Sequence, residues 1–127
     1  MTTGTPTALI LEDSQTQAQI IARMIEQSGW TTVRCDNIRE ALDSLKLLSI
    51  QALFLDVFVG QHNTMLHFAQ FRQLARSTPI VLMTAGSSRE AIDKTLRDAR
   101  RIGADQHPAE AMQPHRRPAV ELRRHAG

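Results

Sequence analysis

The sequence has few of the residues that build covalent or metal cross-links. Its 127 residues include one cysteine, Cys35, so the chain can form neither an internal disulfide nor a zinc cluster of cysteines. An isolated thiol is most often a small buried hydrophobe, and we expect that role here. His62 and His67 do not have the spacing of a metal-ligand pair. We find no glycine-rich phosphate loop and no nucleophile–histidine–acid triad, so the sequence does not favour the enzyme classes that use them.

Long hydrophobic runs are also absent. No apolar run approaches the roughly 20 residues that span a bilayer. The opening MTTGTPT has neither a basic start nor an apolar signal core, so we expect no membrane contact and a cytoplasmic location. The content of 42% hydrophobic and 22% charged residues is typical of a globular protein. The length suits a single domain with one sizeable core.

Basic charge is concentrated at the C-terminal end, where four arginines oppose one glutamate from residue 113 onward. Such a segment can attract nucleic acid or an acidic partner, but we favour a solvated helix face and expect no nucleic-acid partner. We divide the chain into a flexible N-terminus (1–6), one domain (7–112) and a basic C-terminal segment (113–127). A short final helix in that segment would start near Pro118.

Short apolar runs alternate with amphipathic segments along the chain. Four of these runs predict buried strands, at residues 8–12, 30–35, 52–56 and 79–84. Ser14 with Gln17, and Asn37 with Glu40, have the spacing of capping boxes that start helices. Continuous apolar strands joined by helices predict an α/β fold, with a parallel sheet built from right-handed crossovers.

The last part of the domain is less regular. We expect a fourth helix that Ser88 caps and Gly103 closes, with Ile92, Leu96 and Ala99 on its apolar face. The residues that follow should supply a fifth strand and a fifth helix. They contain three prolines and almost no branched apolar run, so we expect these two elements to be atypical.

Acidic residues follow two of the predicted strands. Glu12 and Asp13 come after the first strand, Asp56 ends the third, and Thr84 ends the fourth. The carboxyl ends of parallel strands share one edge of the sheet, where ligands bind. Three carboxylates at one place repel one another, so they indicate a bound hard cation such as Mg²⁺. The cation would hold Asp56 ionised and available as a nucleophile.

This arrangement resembles the receiver domain of two-component response regulators, over roughly residues 7–112. Glu12 and Asp13 match the acidic pair of that family, Asp56 matches its phosphoacceptor aspartate, and Thr84 with Ala85 matches its Thr/Ser–Ala pair. The resemblance implies a flavodoxin-like, doubly wound, five-stranded parallel sheet in the order 2-1-3-4-5. Helices would cover both faces of this sheet.

The resemblance also implies a signalling role rather than an enzyme. Asp56 would accept a phosphoryl group from a sensor histidine kinase or a histidine phosphotransfer protein, and the domain would signal through a downstream protein. Mg²⁺ would be held by Asp13, Asp56 and the backbone carbonyl of Phe58, with Glu12 acting through water. Thr84 would bind a phosphoryl oxygen and move inward. The oligomeric state stays open between a monomer and a homodimer.

Four positions depart from the family pattern. Gly60 and Thr64 stand where the family usually has proline and glycine, which predicts a looser loop. In ungapped register His107 takes the place of the switch aromatic behind Thr84, which would add pH sensitivity. Glu110 takes the place of the lysine that grips the phosphoryl group, so a charge is reversed there.

Three other functions remain open beside the phosphorylated receiver, which we favour. A degenerate receiver would act as a phosphorylation-independent adaptor, and Glu110 and the irregular final segment support it. A phosphohydrolase of the haloacid dehalogenase type also uses an aspartate at a strand end. That family needs a second aspartate two residues later, where Phe58 stands. Direct DNA binding through the basic segment is the third.

We predict that Glu110→Lys speeds phosphorylation of Asp56 or strengthens the response to it. A carboxylate at roughly 4 Å repels the incoming phosphoryl group by several kcal/mol at an effective dielectric constant of about 20. Labelled phosphate measures the rate, and amide exchange over residues 84–107 measures the response. If Glu110→Lys changes neither quantity, position 110 does not face the site.

Overall fold

The computed structural model describes residues 4–83 and 89–105 of the chain. Its elements, in chain order, are β1 (Thr7–Leu11), α1 (Gln15–Glu26), β2 (Thr31–Cys35), α2 (Ile38–Leu47), β3 (Ala52–Asp56), β4 (Phe58–Val59), β5 (His62–Asn63), a 3-10 helix (Thr64–His67), α3 (Phe68–Ala75), β6 (Ile80–Met83) and α4 (Arg89–Asp105). Among these helices, none combines the length and the apolar character needed to cross a bilayer.

Four strands form one parallel sheet in the order β2-β1-β3-β6. This confirms the predicted flavodoxin-like order for the first four sheet strands. The central strands β1 and β3 are buried on both faces, and Leu9 and Leu53, which pair across them, are wholly inaccessible to solvent. Their continuous apolar sequences are therefore explained by burial on two sides. The expected fifth strand and fifth helix lie outside the described residues.

The predicted caps start α1 and α2. The Ser14 hydroxyl accepts from the Gln17 N–H at 3.3 Å, and the Asn37 side chain accepts from the Glu40 N–H at 2.8 Å. In α1 the reciprocal bond differs from the capping box, because the Ser14 N–H donates to the Glu12 carboxylate at 3.1 Å. An acidic residue of the predicted site thus connects the end of β1 to the start of α1.

Two apolar layers cover the two faces of the sheet. Residues of α1 and α4 pack together over one face, with Ile25, Phe54 and Leu96 in that cluster. Residues of α2 and α3 cover the other face, with Leu53 and Phe71 among them. The thiol of Cys35 is buried in this second layer, as the sequence predicted for a lone cysteine.

Helix α4 packs on the same face of the sheet as α1. A right-handed crossover from β6 to a strand beyond it would place the helix with α2 and α3, but α4 lies with α1. The helix also runs through Gly103 to Asp105. In this position Ile92, Leu96 and Ala99 cover a part of the sheet beside α1. The proline-containing sequence that follows offers few apolar side chains for that task.

We predict that Leu96→Ala lowers the free energy of unfolding by about 2–5 kcal/mol, because it removes a buried side chain and leaves a cavity. Urea unfolding followed by circular dichroism measures the change. Leu47→Ala is the matched control: Leu47 is 82% exposed, so its truncation should alter stability by no more than about 0.5 kcal/mol. Equal losses in the two variants would contradict the packing of α4 against the sheet.

Candidate functional site

Three acidic side chains meet at the carboxyl edge of the sheet. Glu12 and Asp13 follow β1, and Asp56 ends the neighbouring strand β3. One carboxylate oxygen from each residue lies within 4.8 Å of the others. Glu12 and Asp56 are half-buried, whereas Asp13 is exposed. The structure thus brings together the three carboxylates that the sequence predicted to converge.

Backbone N–H groups orient two of these carboxylates. The Gly60 N–H donates to Asp13 Oδ2 at 2.9 Å, and the Phe58 N–H donates to Asp56 Oδ1 at 3.3 Å. Each carboxylate has a second oxygen that these bonds do not use. The segment after β3 therefore positions Asp13 and Asp56 and leaves an oxygen of each available for a ligand.

The loop after Asp56 is more regular than predicted. Strands β4 and β5 pair antiparallel, with Val59 opposite His62. Gly60 turns between them with a φ of 62°, a conformation that glycine adopts with little steric penalty. The expectation of a looser loop is wrong, because the hairpin forms its own backbone bonds and Gly60 is tied to Asp13.

Thr64 anchors the far end of this loop. Its side chain is fully buried, and its hydroxyl donates to the carbonyl oxygen of Asp56 at 2.5 Å. Its N–H donates to the carbonyl of Val57 at 2.7 Å, and the Val57 N–H donates in turn to Met83 at 2.9 Å. Sequence reasoning treated Thr64 only as a missing glycine. No local sequence pattern predicts a hydrogen bond between a threonine and a carbonyl eight positions earlier.

The electrostatics of the cluster disfavour a third negative charge. The pKa of Glu12 is raised, chiefly because burial removes its carboxylate from water, and the nearby charge of Asp56 raises it further. The bond from the Ser14 N–H acts in the opposite direction. A divalent cation would relieve this repulsion, and a set of oxygen donors suits Mg²⁺. The residues present therefore fit the metal that the sequence implied.

The other predicted site residues divide into two groups. Phe58 lies beside the cluster, is 61% exposed and donates its N–H to Asp56, while metal binding by its carbonyl stays a prediction. The remaining predicted residues lie outside the described part of the chain: Thr84, Ala85, His107 and Glu110. Met83, the last residue of β6, is in register with Asp56 across the sheet.

A family comparison identifies the class of protein to which this fold and site belong. The model of the response regulator receiver domain matches residues 8–107, so the chain belongs to the response regulator receiver family. Receiver domains are signalling domains of two-component systems, and an aspartate that accepts a phosphoryl group and a bound Mg²⁺ are typical of them. A search of curated proteins finds no match.

Solved structures with the same fold include several receiver domains. The receiver domain of a sensor histidine kinase from Pseudomonas aeruginosa, with magnesium in its active-site cleft, is 14% identical with a TM-score of 0.65, over 74% of this chain and 96% of that one. A response regulator from Burkholderia pseudomallei, with a phosphorylated aspartic acid, calcium ion and citrate, is 18% identical with a TM-score of 0.60, over 84% and 69%. A response regulator from Thermotoga maritima is 22% identical with a TM-score of 0.56, over 74% and 78%.

The raised pKa of Glu12 sets the direction of a pH effect. In the metal-free protein the folded state holds a proton on Glu12 at pH values where the unfolded chain has lost it. Stability therefore falls as the pH rises from the unfolded pKa through the folded pKa. Above that range the ionised Glu12 destabilises the fold.

We predict that Glu12→Gln raises the melting temperature of the metal-free protein at neutral pH, because it removes a partly buried charge next to Asp56. The gain should shrink as the pH falls through the folded pKa of Glu12, where the wild-type side chain is already neutral. Thermal unfolding in the presence of a chelator, repeated across acidic pH values, measures both effects. The exposed Glu90→Gln should show no comparable gain, and a gain from Glu12→Gln that persists unchanged at low pH would contradict the assignment.

Proposed function

We propose that Asp56 is the phosphoacceptor of a receiver domain spanning residues 7–112, and that a histidine kinase or a histidine phosphotransfer protein phosphorylates it. The observation that carries this proposal is the convergence of Glu12, Asp13 and Asp56, with Asp56 at the end of a central strand. Family membership supports a phospho-accepting role in general. The backbone of Asp56 is held by the Thr64 hydroxyl on its carbonyl oxygen and by the register of β3 with β6.

The chemistry requires one carboxylate oxygen of Asp56 to attack the phosphorus of a phosphohistidine. A new O–P bond forms the acyl phosphate, the N–P bond breaks, and the donor imidazole keeps the electron pair. The Phe58 N–H, on the other oxygen of Asp56, orients the attacking group. Thr64 holds the carbonyl of the same residue, so the nucleophile is attached to a fixed backbone.

Asp13, Asp56 and the carbonyl of Phe58 would hold Mg²⁺ in this proposal, with Glu12 binding through water. When bound, the ion neutralises charge on the transferring group and on the carboxylates. Asp13 is suited to this task because Gly60 orients it while its second oxygen remains available. With Glu110 in place of the family lysine, the cation must provide this neutralisation without a basic side chain from that position. Thr84, Ala85 and His107 would report the phosphorylated state.

Exposed apolar side chains next to the site support signalling through a protein partner. The segment that follows Asp56 exposes Phe58 by 61%, Met65 by 44% and Leu66 by 81%. Apolar groups of this size are usually covered in globular proteins, and their clustering on a surface is typical of interaction sites. A partner that contacts this segment would reach the phosphoacceptor at the same time.

A second function is favoured by one specific feature, the acidic residue at position 110. If Glu110 blocks phosphorylation, the domain would act as an adaptor that binds its partner without a phosphoryl group. Glu12, Asp13 and Asp56 would then be retained around a metal without carrying a modification. The two functions differ in one measurable property, the mass of the protein after exposure to a phosphodonor.

We predict that acetyl phosphate with Mg²⁺ adds one phosphoryl group to the protein, and that Asp56→Asn abolishes the addition. Asp13→Asn should slow it at limiting Mg²⁺, because a metal-binding oxygen loses its charge. Intact-mass spectrometry measures the product, with a chelator as the metal-free reference.

Asp43→Asn is the matched control, since Asp43 is a surface residue of α2 whose ion pair, within the described residues, is with Arg39 on the same helix. It should be phosphorylated like the wild type. A mass gain that survives Asp56→Asn would assign the acceptor to another residue. No gain in the wild type at any concentration of Mg²⁺ and phosphodonor would favour the adaptor.

A further inference from the structure

A cavity of about 240 Å³ lies where the end of α1 meets α4, away from the carboxylates. The side chains that matter for its chemistry are Ser28, Trp30, Arg89, Asp93, Arg97 and Arg100. The chain leaves α1 and enters β2 here, so the cavity is at the amino edge of the sheet. Asp56 lies at the opposite, carboxyl edge. The cavity is therefore separate from the carboxylate site at Asp56.

The lining of the cavity is strongly basic. Three guanidinium groups, from Arg89, Arg97 and Arg100, face one carboxylate, that of Asp93. The ion pairs found within the described residues join other side chains and involve none of these three arginines. The lining thus carries an excess of two positive charges, which favours an anionic ligand.

Neutral contacts hold two of the arginines in place. Arg89 donates to the side-chain oxygen of Gln27 at 2.7 Å, and Arg100 donates to the carbonyl of Ser28 at 3.4 Å. The Arg100 guanidinium also lies 5.8 Å from the centre of the Trp30 ring. Cations at the C-terminal end of α1 are favourable there, which explains part of this arrangement. None of these contacts neutralises an arginine, and each guanidinium has five N–H groups to offer.

The buried indole of Trp30 is a second feature of this cavity. Its side chain is only 3% exposed, and its indole Nε1–H has no acceptor within the described residues. A buried donor without a partner is costly, by about 1–3 kcal/mol, and such groups are uncommon in native proteins. The indole N–H can only donate, so the partner that would satisfy it is an acceptor.

We propose that this cavity binds the phosphate group of a small phosphorylated molecule. A phosphate monoester carries nearly two negative charges at neutral pH, which matches the excess charge of the lining, whereas a monocarboxylate would leave one arginine uncompensated. Guanidinium groups bind phosphate oxygens through paired N–H donors, and Trp30, which lines the same cavity, would sense the bound group. Asp93, which accepts from the Ser28 hydroxyl at 3.5 Å, is the acidic side chain of the lining and opposes ligands of higher negative charge.

The test uses the indole N–H of Trp30, which is the only tryptophan in the chain. Inorganic phosphate is titrated into the full-length, metal-free protein at constant ionic strength, and the indole resonance is followed by NMR. We expect a saturable shift with phosphate. Acetate at the same ionic strength should produce little shift, and the Asp56→Asn variant should respond like the wild type. An indole resonance that does not move, or that moves equally with acetate, would overturn the proposal.

Two substitutions in the cavity should change the affinity in opposite directions. Arg97→Gln removes an exposed arginine and should weaken phosphate binding about tenfold or more, which corresponds to losing a charge-assisted hydrogen bond. Asp93→Asn removes the opposing charge and should strengthen binding. Arg39→Gln, an exposed change on α2, is the matched control and should leave the affinity unchanged. Unaltered affinity in Arg97→Gln, with the fold intact by circular dichroism, would contradict the site.

Discussion

The structure depends on the burial of β1 and β3 from both sides. Each strand is an unbroken apolar run, and each lies between two neighbouring strands, so both of its faces need a layer of helices. This requirement places α1 and α4 on one face and α2 and α3 on the other. It also leaves the strand ends as the part of the sheet where polar groups can reach solvent. The site at Glu12, Asp13 and Asp56 follows from that arrangement.

The carboxyl edge holds an arrangement that is unfavourable for the fold by itself. Burial and the nearby charge of Asp56 raise the pKa of Glu12, and the bond from the Ser14 N–H compensates only in part. The N–H groups of Phe58 and Gly60 orient Asp56 and Asp13. A cluster that destabilises its own metal-free state is suited to bind a cation and then an anionic group. The stability of the metal-free domain therefore depends on the same oxygens that would hold a cation.

Helix α4 connects the core to the opposite edge of the sheet. Its apolar residues and those of α1 form the layer on one face of the sheet. Arg89, Arg97 and Arg100 of the same helix lie around Trp30. Packing on this face thus brings basic groups to the end of α1, where a helix favours positive charge. The domain consequently has an acidic edge and a basic cavity on opposite sides of one sheet.

The sequence by itself determined the strands of the parallel sheet and the helix caps at Ser14 and Asn37, because these depend on local spacing. It also determined the convergence of the three carboxylates, because parallel strands share one direction. Only the tertiary structure decided the face on which α4 packs, the bond from Gly60 to Asp13 and the anchoring of Asp56 by Thr64. An apolar stripe shows that a helix is buried but does not identify the surface that buries it. The loop contacts join residues that are distant in the chain or lack any periodic pattern, so their partners were set by packing alone.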